Sequence, residues 1–305
     1  PDRWIGVELR HFAALQALAD EGSFGRAAKR LGYTQSAVSQ QIATLERIVG
    51  ERLVERPGGP RPVSLTEAGK LLLRHAESIV ARLQAAQADL KALREGEAGT
   101  LRVGTFQSVG ARLLPEIMRS FTRQWPKIEV MLDELDDEQI AVEVERGTVD
   151  VGFVLLPVDP DAPLETTELL RDPYVLVVAA GSPFAVAVHA PSLRALTSEP
   201  LVGFRTGNAI APVEAALRAE GVEPRWAFRS NDNPTVQGLV AAGVGNALMP
   251  QLTVDASDPR VAVVDLGAEV TPRIIAIARH RDRYSSPAAR AFVETAVASC
   301  ASGNL

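Results

Sequence analysis

Hydroxyl and amide side chains recur on one face of the segment between residues 34 and 46. They repeat at helical spacing, and the apolar residues Val38, Ile42 and Leu45 occupy the opposite positions. The polar residues that we take as candidate contacts to base edges are Thr34, Gln35, Ser36, Ser39, Gln40 and Thr44. Such groups hydrogen-bond to base edges, and none is bulky enough to keep a helix out of a major groove. The segment is therefore a candidate recognition helix.

The sequence before this helix predicts two further helices. A run of helical periodicity ends near Gly22, and Ser23 is a good cap for a short helix that Gly32 ends. Thr34 can then cap the polar helix. A short helix, a glycine turn and a second helix with a polar outer face predict a helix-turn-helix, in which Arg26 is a candidate DNA contact.

Residues 52–65 predict two short strands around a turn rich in proline and glycine, which is typical of a wing. Arg56 and Arg61 flank the turn, where they could lie along phosphates or enter a minor groove. A surface hairpin with two solvated arginines is the open alternative.

Charge is unevenly distributed along the 305 residues. Up to residue 94 there are 14 Lys and Arg against 10 Asp and Glu, and beyond it 18 against 28. The net charge of -6 excludes a protein that is basic throughout, yet leaves a basic N-terminal module. The single cysteine excludes a scaffold of intramolecular disulfides, and no apolar run approaches the length of a membrane span. With no export signal visible, we expect a cytoplasmic protein.

A heptad seam predicts that the chain pairs with a second copy. Thr66 can cap a long helix that runs to about Arg94. Apolar residues recur along it at alternating intervals of four and three, at Leu72, Ala76, Ile79, Leu83, Ala86, Leu90 and Leu93. Such a repeat is typical of a coiled coil. A helix that packs on its own chain is the alternative.

From residue 100 onward, strands and helices alternate, which predicts α/β sheets rich in parallel strands. The strand candidates are residues 101–106, 128–134, 149–155, 174–179, 201–204, 226–230, 261–265 and 274–279. We expect them to form two lobes with a ligand cleft between them.

Ligands collect beyond the carboxyl ends of strands in such sheets. The candidate ligand contacts in these loops are Thr105, Phe106, Gln107, Ser108, Asp136, Asp137, Phe204, Arg205, Asn208 and Asn233. Arg205 favours a carboxylate or phosphate, whereas Asp136 and Asp137 favour an amine. An anionic or a zwitterionic ligand is therefore expected. The simpler alternative is that Asp136 and Asp137 are solvated loop residues that contact no ligand.

Catalytic motifs are missing from the sequence. The four histidines have no second histidine or cysteine at metal-ligand spacing, which predicts no metal site. Residues 243–246 lack the third glycine of a dinucleotide fingerprint, and no Gly-Lys-Ser/Thr run is present. We expect neither an enzyme nor a cofactor.

Three runs resemble the DNA-binding domain of LysR-type transcriptional regulators. They are FGRAAKRL at residues 24–31, TQSAVSQQIATLE at 34–46 and LTEAG at 65–69. The match in order and spacing covers about 60 residues. The remaining length is similar to that of the family's effector domain. Val54 departs from the phenylalanine frequent in the family, and the wing is rich in proline.

The resemblance implies an α/β protein with a winged helix-turn-helix at residues 1–65 and a linker and dimerisation helix at 66–95. Residues 99–305 would form a two-lobed effector-binding domain similar to periplasmic binding proteins. Its first lobe would hold residues 99–180 and 268–303, and its second lobe residues 181–267. The family also implies that two dimers associate as a tetramer.

The expected function is that of a regulator whose binding to double-stranded promoter DNA responds to a small-molecule effector in the interlobe cleft. The alternative is a small-molecule binding protein of the solute-receptor type, without a DNA function. Its N-terminal helices would then serve only for assembly.

Overall fold

The computed structural model describes residues 4–55, 62–95, 99–186, 191–207 and 209–301. It divides into two compact units, Pro1–Gln87 and Ala88–Leu305.

The N-terminal unit is helical apart from one short hairpin. Its elements are α1 (Leu9–Glu21), α2 (Phe24–Leu31), α3 (Gln35–Val49), β1 (Val54–Glu55), β2 (Ser64–Leu65) and α4 (Glu67–Glu95), the last of which continues past the unit. Fully buried side chains such as Leu15, Leu18 and Leu45 form one core beneath the first three helices. The predicted helix-turn-helix is confirmed.

Local capping explains why these helices end where they do. Gly22 and Gly32 adopt left-handed backbone angles with φ of 58° and 71° at the ends of α1 and α2. The Thr34 hydroxyl accepts the Ala37 N–H at 3.2 Å, and the Thr66 hydroxyl accepts the Gly69 N–H at 3.0 Å. Ser23 has the extended backbone of a cap, but its side chain makes no capping hydrogen bond.

Hydrogen bonds to the backbone connect the hairpin to the helices. Val54 pairs with Leu65 in an antiparallel ladder, and one carboxylate oxygen of Glu46 accepts the N–H groups of Leu53 and Val54. Gly69 lies so close to the Leu53 carbonyl that a Cβ there would clash, which explains a glycine inside α4. The rest of the predicted wing, with Arg56 and Arg61, lies outside the described residues.

The predicted seam on α4 divides into two parts. Leu72 and Ala76 are buried against the core of the N-terminal unit, so at these positions the helix packs on its own chain. Ile79, Leu83 and Leu90 are exposed apolar side chains. Ala86 is also exposed, and the side chain of Leu93 lies outside the described set. Only the later part of the seam is available to a partner.

The second unit contains the remaining strands and helices. Its strands are β3 (Gly99–Thr105), β4 (Ile128–Glu134), β5 (Val151–Leu156), β6 (Leu164–Asp172), β7 (Tyr174–Ala179), β8 (Pro200–Gly203), β9 (Arg225–Arg229), β10 (Ala247–Pro250), β11 (Val261–Asp265) and β12 (Arg273–His280). Its helices are α5 (Gln107–Arg112), α6 (Leu114–Gln124), α7 (Asp137–Arg146), α8 (Ala211–Ala219), α9 (Asn233–Ala241) and α10 (Pro287–Ala301).

Two separate hydrophobic cores define two lobes. Lobe I contains a five-stranded sheet in the order β4-β3-β5-β12-β6, with its own core. Lobe II contains the sheet β10-β7-β11 and the pair β8-β9 around a second core. Strands β6 and β10 were not among the sequence candidates.

The expected lobe boundaries were wrong. Strand β7 pairs with β10 and β11, and residues 174–178 are buried in the second core, so β7 belongs to lobe II. The chain therefore crosses at Pro173, which has no N–H to donate to either ladder. It returns between Val270, still in the second core, and Arg273, which starts β12 in lobe I.

The expectation of mainly parallel sheets also needs correction. Strand β3 is parallel to β4 and β5, and β8 is parallel to β9. Strands β7 and β12, which start where the chain changes lobe, are antiparallel to all their partners. Continuous apolar runs mark a buried strand but do not reveal its direction. Among the described helices, none is long and apolar enough to cross a membrane.

Candidate DNA-binding surface and interlobe cavity

Helix α3 presents the predicted polar face to solvent. Thr34, Gln35, Ser36 and Gln40 are exposed, and Ser39 and Thr44 are partly buried at the margin. Val38, Ile42 and Leu45 on the opposite side are fully buried. Because the apolar face fixes the helix on the core, its polar face has a defined orientation.

Ion pairs restrain the two arginines of α2. Arg26 donates to the Glu21 carbonyl at 3.0 Å and lies 3.6 Å from its carboxylate. Arg30 pairs with Asp20 at 2.7 Å. Both arginines remain exposed. Either can turn toward a phosphate, because breaking a surface ion pair costs little free energy.

A cavity of about 610 Å³ lies between lobes I and II. Lobe I contributes the start of α5 and α7, and lobe II contributes the loop after β8 and the start of α9. The predicted ligand contacts that line it are Phe106, Gln107, Ser108, Asp136, Asp137, Phe204 and Asn233. Thr105 is buried, Arg205 is exposed, and neither lines this cavity. Asn208 lies outside the described residues.

Other residues line the cavity that were not among the candidates from sequence. They include Glu134, Thr206, Asn231, Asp232 and Arg273. Asp232 precedes a helix that starts Asn233-Pro234, so its role as a helix cap could have been predicted from sequence. Arg273 gave no local signal, because its place in the cavity depends on the register of β12.

Gln107 bridges the two lobes across the cavity. Its side-chain Nε2 donates to Asp232 at 3.2 Å, and its Oε1 accepts the Asn233 N–H at 3.0 Å. The other oxygen of Asp232 accepts the Thr235 N–H at 2.9 Å and so caps α9. Hydrogen bonds from Thr235 and Gln107 lower the pKa of Asp232. The amide of Gln107 thus joins lobe I to a helix cap of lobe II.

A buried ion pair lies where the chain crosses between lobes. Arg273 and Asp172 are 6% and 1% exposed; the Arg273 Nε–H donates to Asp172 Oδ2 at 2.8 Å, and Nη2 lies 2.8 Å from the same oxygen. The second Asp172 oxygen accepts the Leu252 N–H of lobe II at 3.0 Å. Arg273 Nη2 also donates to the Ser108 hydroxyl at 2.8 Å. The guanidinium lies over the Phe106 ring at 5.6 Å from its centroid.

Asn231 organises the loop after β8. Its side-chain oxygen accepts the N–H groups of Arg205 and Thr206 at 3.0 and 3.2 Å, and its amide donates to the Thr206 hydroxyl at 2.8 Å. These bonds fix the backbone at Arg205 and turn Thr206 into the lining of the cavity. The loop is therefore built without the Arg205 side chain facing the ligand space.

Comparisons with known proteins agree with this architecture. Residues 9–70 match the family described as "Bacterial regulatory helix-turn-helix protein, lysR family", and residues 94–301 match "LysR substrate binding domain". The chain therefore belongs to the LysR family of transcriptional regulators, with a helix-turn-helix DNA-binding domain and an effector-binding domain. Members of this family are DNA-binding transcription factors rather than enzymes.

Individual relatives align over most of the chain. The HTH-type transcriptional regulator YnfL of Escherichia coli (strain K12) is 33% identical over 251 residues, which are 81% of this chain and 83% of YnfL. YfeR of Shigella flexneri is 29% identical over 94% of this chain and 92% of its own. The crystal structure of full-length CbnR complexed with target DNA has a TM-score of 0.73 at 25% identity, covering 96% of this chain and all of CbnR.

Proposed function

We propose that this regulator reads promoter DNA with the polar face of α3 and that a small effector in the interlobe cavity adjusts the affinity of this binding. The observation that carries the proposal is the capped α3 helix, whose exposed Gln35, Ser36 and Gln40 stand opposite a fully buried apolar face. The crystal structure of CbnR complexed with its target DNA supports the proposal, since the whole length of CbnR aligns with this chain.

The contacts to DNA divide into two kinds. Gln35, Ser36, Ser39 and Gln40 contact base edges and supply sequence specificity, together with Thr34 and Thr44 at the ends of the polar face. Arg26, and Arg56 and Arg61 of the wing, contact phosphates and supply affinity that falls with salt. A solute receptor without a DNA function does not account for the helix-turn-helix match over residues 9–70.

The exposed part of the seam on α4 pairs two copies of the chain. Ile79, Leu83 and Leu90 are apolar, solvent-exposed and spaced for knobs-into-holes packing, which removes them from water in a dimer. Two recognition helices would then read a partly palindromic site. Two such dimers associate as a tetramer. The protein acts in the cytoplasm, which contains the promoter DNA that it binds.

Effector and DNA are coupled through thermodynamic linkage. An effector that fits the cavity better in one arrangement of the lobes shifts the population toward that arrangement. If the two arrangements also differ in DNA affinity, each ligand changes the affinity of the other by the same factor. The bridge between Gln107 and the start of α9 makes the arrangement of the lobes sensitive to what occupies the cavity.

A gel-shift assay with the DNA upstream of the regulator's own gene tests the proposal. The variant carrying Gln35→Ala and Ser36→Ala should bind this DNA at least about tenfold more weakly, because each lost base contact is worth on the order of 1 kcal/mol or more. Affinity for random DNA and the mass in solution should not change. Gln124→Ala, an exposed amide at the end of α6, is the matched control. An equal loss on random DNA would contradict base reading.

A further inference from the structure

Among the charged side chains that line the interlobe cavity, carboxylates outnumber cations. Among the described lining residues five are acidic, and they are Glu134, Asp136, Asp137, Glu138 and Asp232. The one cation among them is Arg273, whose charge is already matched by the buried Asp172. This excess of negative charge disfavours a ligand that carries several negative charges and favours one that brings a cation.

Asp137 is the lining carboxylate with an enclosed oxygen. Its Oδ2 is shielded from solvent and has no hydrogen-bond partner among the described atoms, unlike Asp232, which holds Thr235 and Gln107. Asp137 begins α7, and its Oδ1 lies 3.4 Å from where a Cβ of Gly207 in lobe II would be. An unpaired, shielded carboxylate oxygen is costly, and a bound cation beside it offsets that cost.

Arg273 offers the opposite chemistry at another part of the same lining. Its described hydrogen bonds use Nε and Nη2, toward Asp172 and Ser108, so Nη1 retains both of its N–H donors. The neighbouring Ser108 also lines the cavity. A guanidinium with its orientation fixed by a buried partner is a preorganised donor for one carboxylate.

We propose that the effector is a small zwitterion, with its protonated amine beside Asp137 and its carboxylate on Arg273 Nη1. The inference rests on the proposed function, since it names the chemical class of the effector that this cavity binds. It replaces Arg205 by Arg273 as the anion partner. The amine provides selectivity, because a carboxylic acid lacking it gains one ion pair while facing the uncompensated carboxylates.

Isothermal titration calorimetry of the full chain at neutral pH tests the class directly. The panel contains the L- and D-α-amino acids and ω-amino acids with longer spacers, each with its deaminated acid and its decarboxylated amine. We expect at least one amino acid to bind and both of its trimmed analogues to bind at least about tenfold more weakly, as expected for the loss of a charge-assisted hydrogen bond. An acid or an amine that binds as tightly as its parent, or no binding by any amino acid, overturns the proposal.

Substitutions locate the amine. Asp137→Asn keeps the shape of the side chain but should weaken binding of the amino acid at least about tenfold and should also weaken binding of its decarboxylated amine, because both place an ammonium beside Asp137. Binding of the deaminated acid, which places no charge there, should not weaken. Asp133→Asn, an exposed carboxylate on β4 outside the cavity lining, is the matched control and should bind as the wild type does. Arg205→Ala should also bind normally. Unchanged binding by both Asp137→Asn and Asp137→Ala would overturn the placement of the amine.

The same proteins separate this inference from the proposed function. A metabolite without an amine that binds the cavity and alters the gel shift would overturn the zwitterion while leaving an effector-responsive regulator intact. If the wild type shows no specific binding to the promoter in the gel shift, the proposed function is overturned, whatever the calorimetry shows.

Discussion

Removing Asp172 should destabilise the effector-binding domain more than removing any exposed carboxylate of the same sheet. Asp172→Ala leaves the Arg273 guanidinium 94% buried without its counter-ion and leaves the Leu252 N–H without its acceptor. Breaking a buried ion pair by deleting one partner costs about 3–5 kcal/mol, because the remaining charge stays desolvated. The expected loss is therefore about 3–5 kcal/mol in the free energy of unfolding.

The same two strands provide a matched control. Arg279 and Glu165 face each other across β12 and β6 at 2.8 Å, the same separation as in the buried pair, but their side chains are 33% and 49% exposed. Glu165→Ala should cost less than about 1 kcal/mol, since exposed pairs contribute little. The two substitutions thus differ mainly in burial.

Urea denaturation of the full chain measures both losses. Trp125 and Trp226 lie in lobes I and II, so their fluorescence changes as these lobes unfold, and Trp4→Phe in every variant removes the signal of the N-terminal unit. The double variant Asp172→Ala with Arg273→Met should recover at least about 2 kcal/mol of the loss, because it removes the uncompensated charge. If Asp172→Ala costs no more than Glu165→Ala, or if the double variant is no better than the single one, burial does not govern this pair and the reasoning fails.

Three further predictions concern the lobes and the seam. Gln107→Ala removes the two hydrogen bonds that this side chain makes to lobe II, so hydrogen exchange at the Asn233 amide should accelerate about fivefold or more, whereas Gln139→Ala should leave it unchanged. Leu83→Glu should lower the mass measured by analytical ultracentrifugation, and Leu71→Glu, exposed on the same helix outside the seam, should not. Because hydrogen bonds lower the pKa of Asp232, its ionised form stabilises the fold above its ordinary pKa of 3.8, and this contribution is lost as the pH falls through the lowered value. The difference in unfolding free energy between wild type and Asp232→Asn, measured by acid-dependent denaturation, should therefore shrink below about pH 4 and stay constant near neutral pH.

The helix-turn-helix could be predicted from sequence because its signals are local, although the expected Ser23 cap makes no side-chain hydrogen bond. Thr34 and Thr66 each cap a helix by a bond to an N–H three residues away, and Gly22 and Gly32 end helices by their own backbone angles. None of these features depends on a distant part of the chain. The seam on α4 was less certain from sequence, because Leu72 of the repeat packs on the core of the same unit.

The lobe boundary could not be read in the same way. Strand β7 is an apolar run that fits the centre of either sheet, and only its pairing with β10 and β11 assigns it to lobe II. Strand β6 escaped detection because polar residues interrupt it, as expected for the edge position that it occupies. Local pattern gives the existence of a buried strand, whereas its sheet depends on partners far along the chain.

The place of Arg273 in the cavity could not be predicted from sequence, for a reason that also concerns function. Its partner Asp172 is 101 residues away in sequence, and the two meet because β6 and β12 pair at the crossing between lobes. The same guanidinium bonds Ser108 at the start of α5 and lines the cavity, while Asp172 holds the Leu252 N–H in lobe II. A ligand carboxylate on Arg273 therefore adds a bond to a network that already joins both lobes, so its binding energy depends on how the lobes are arranged. That dependence is what linkage to DNA affinity requires.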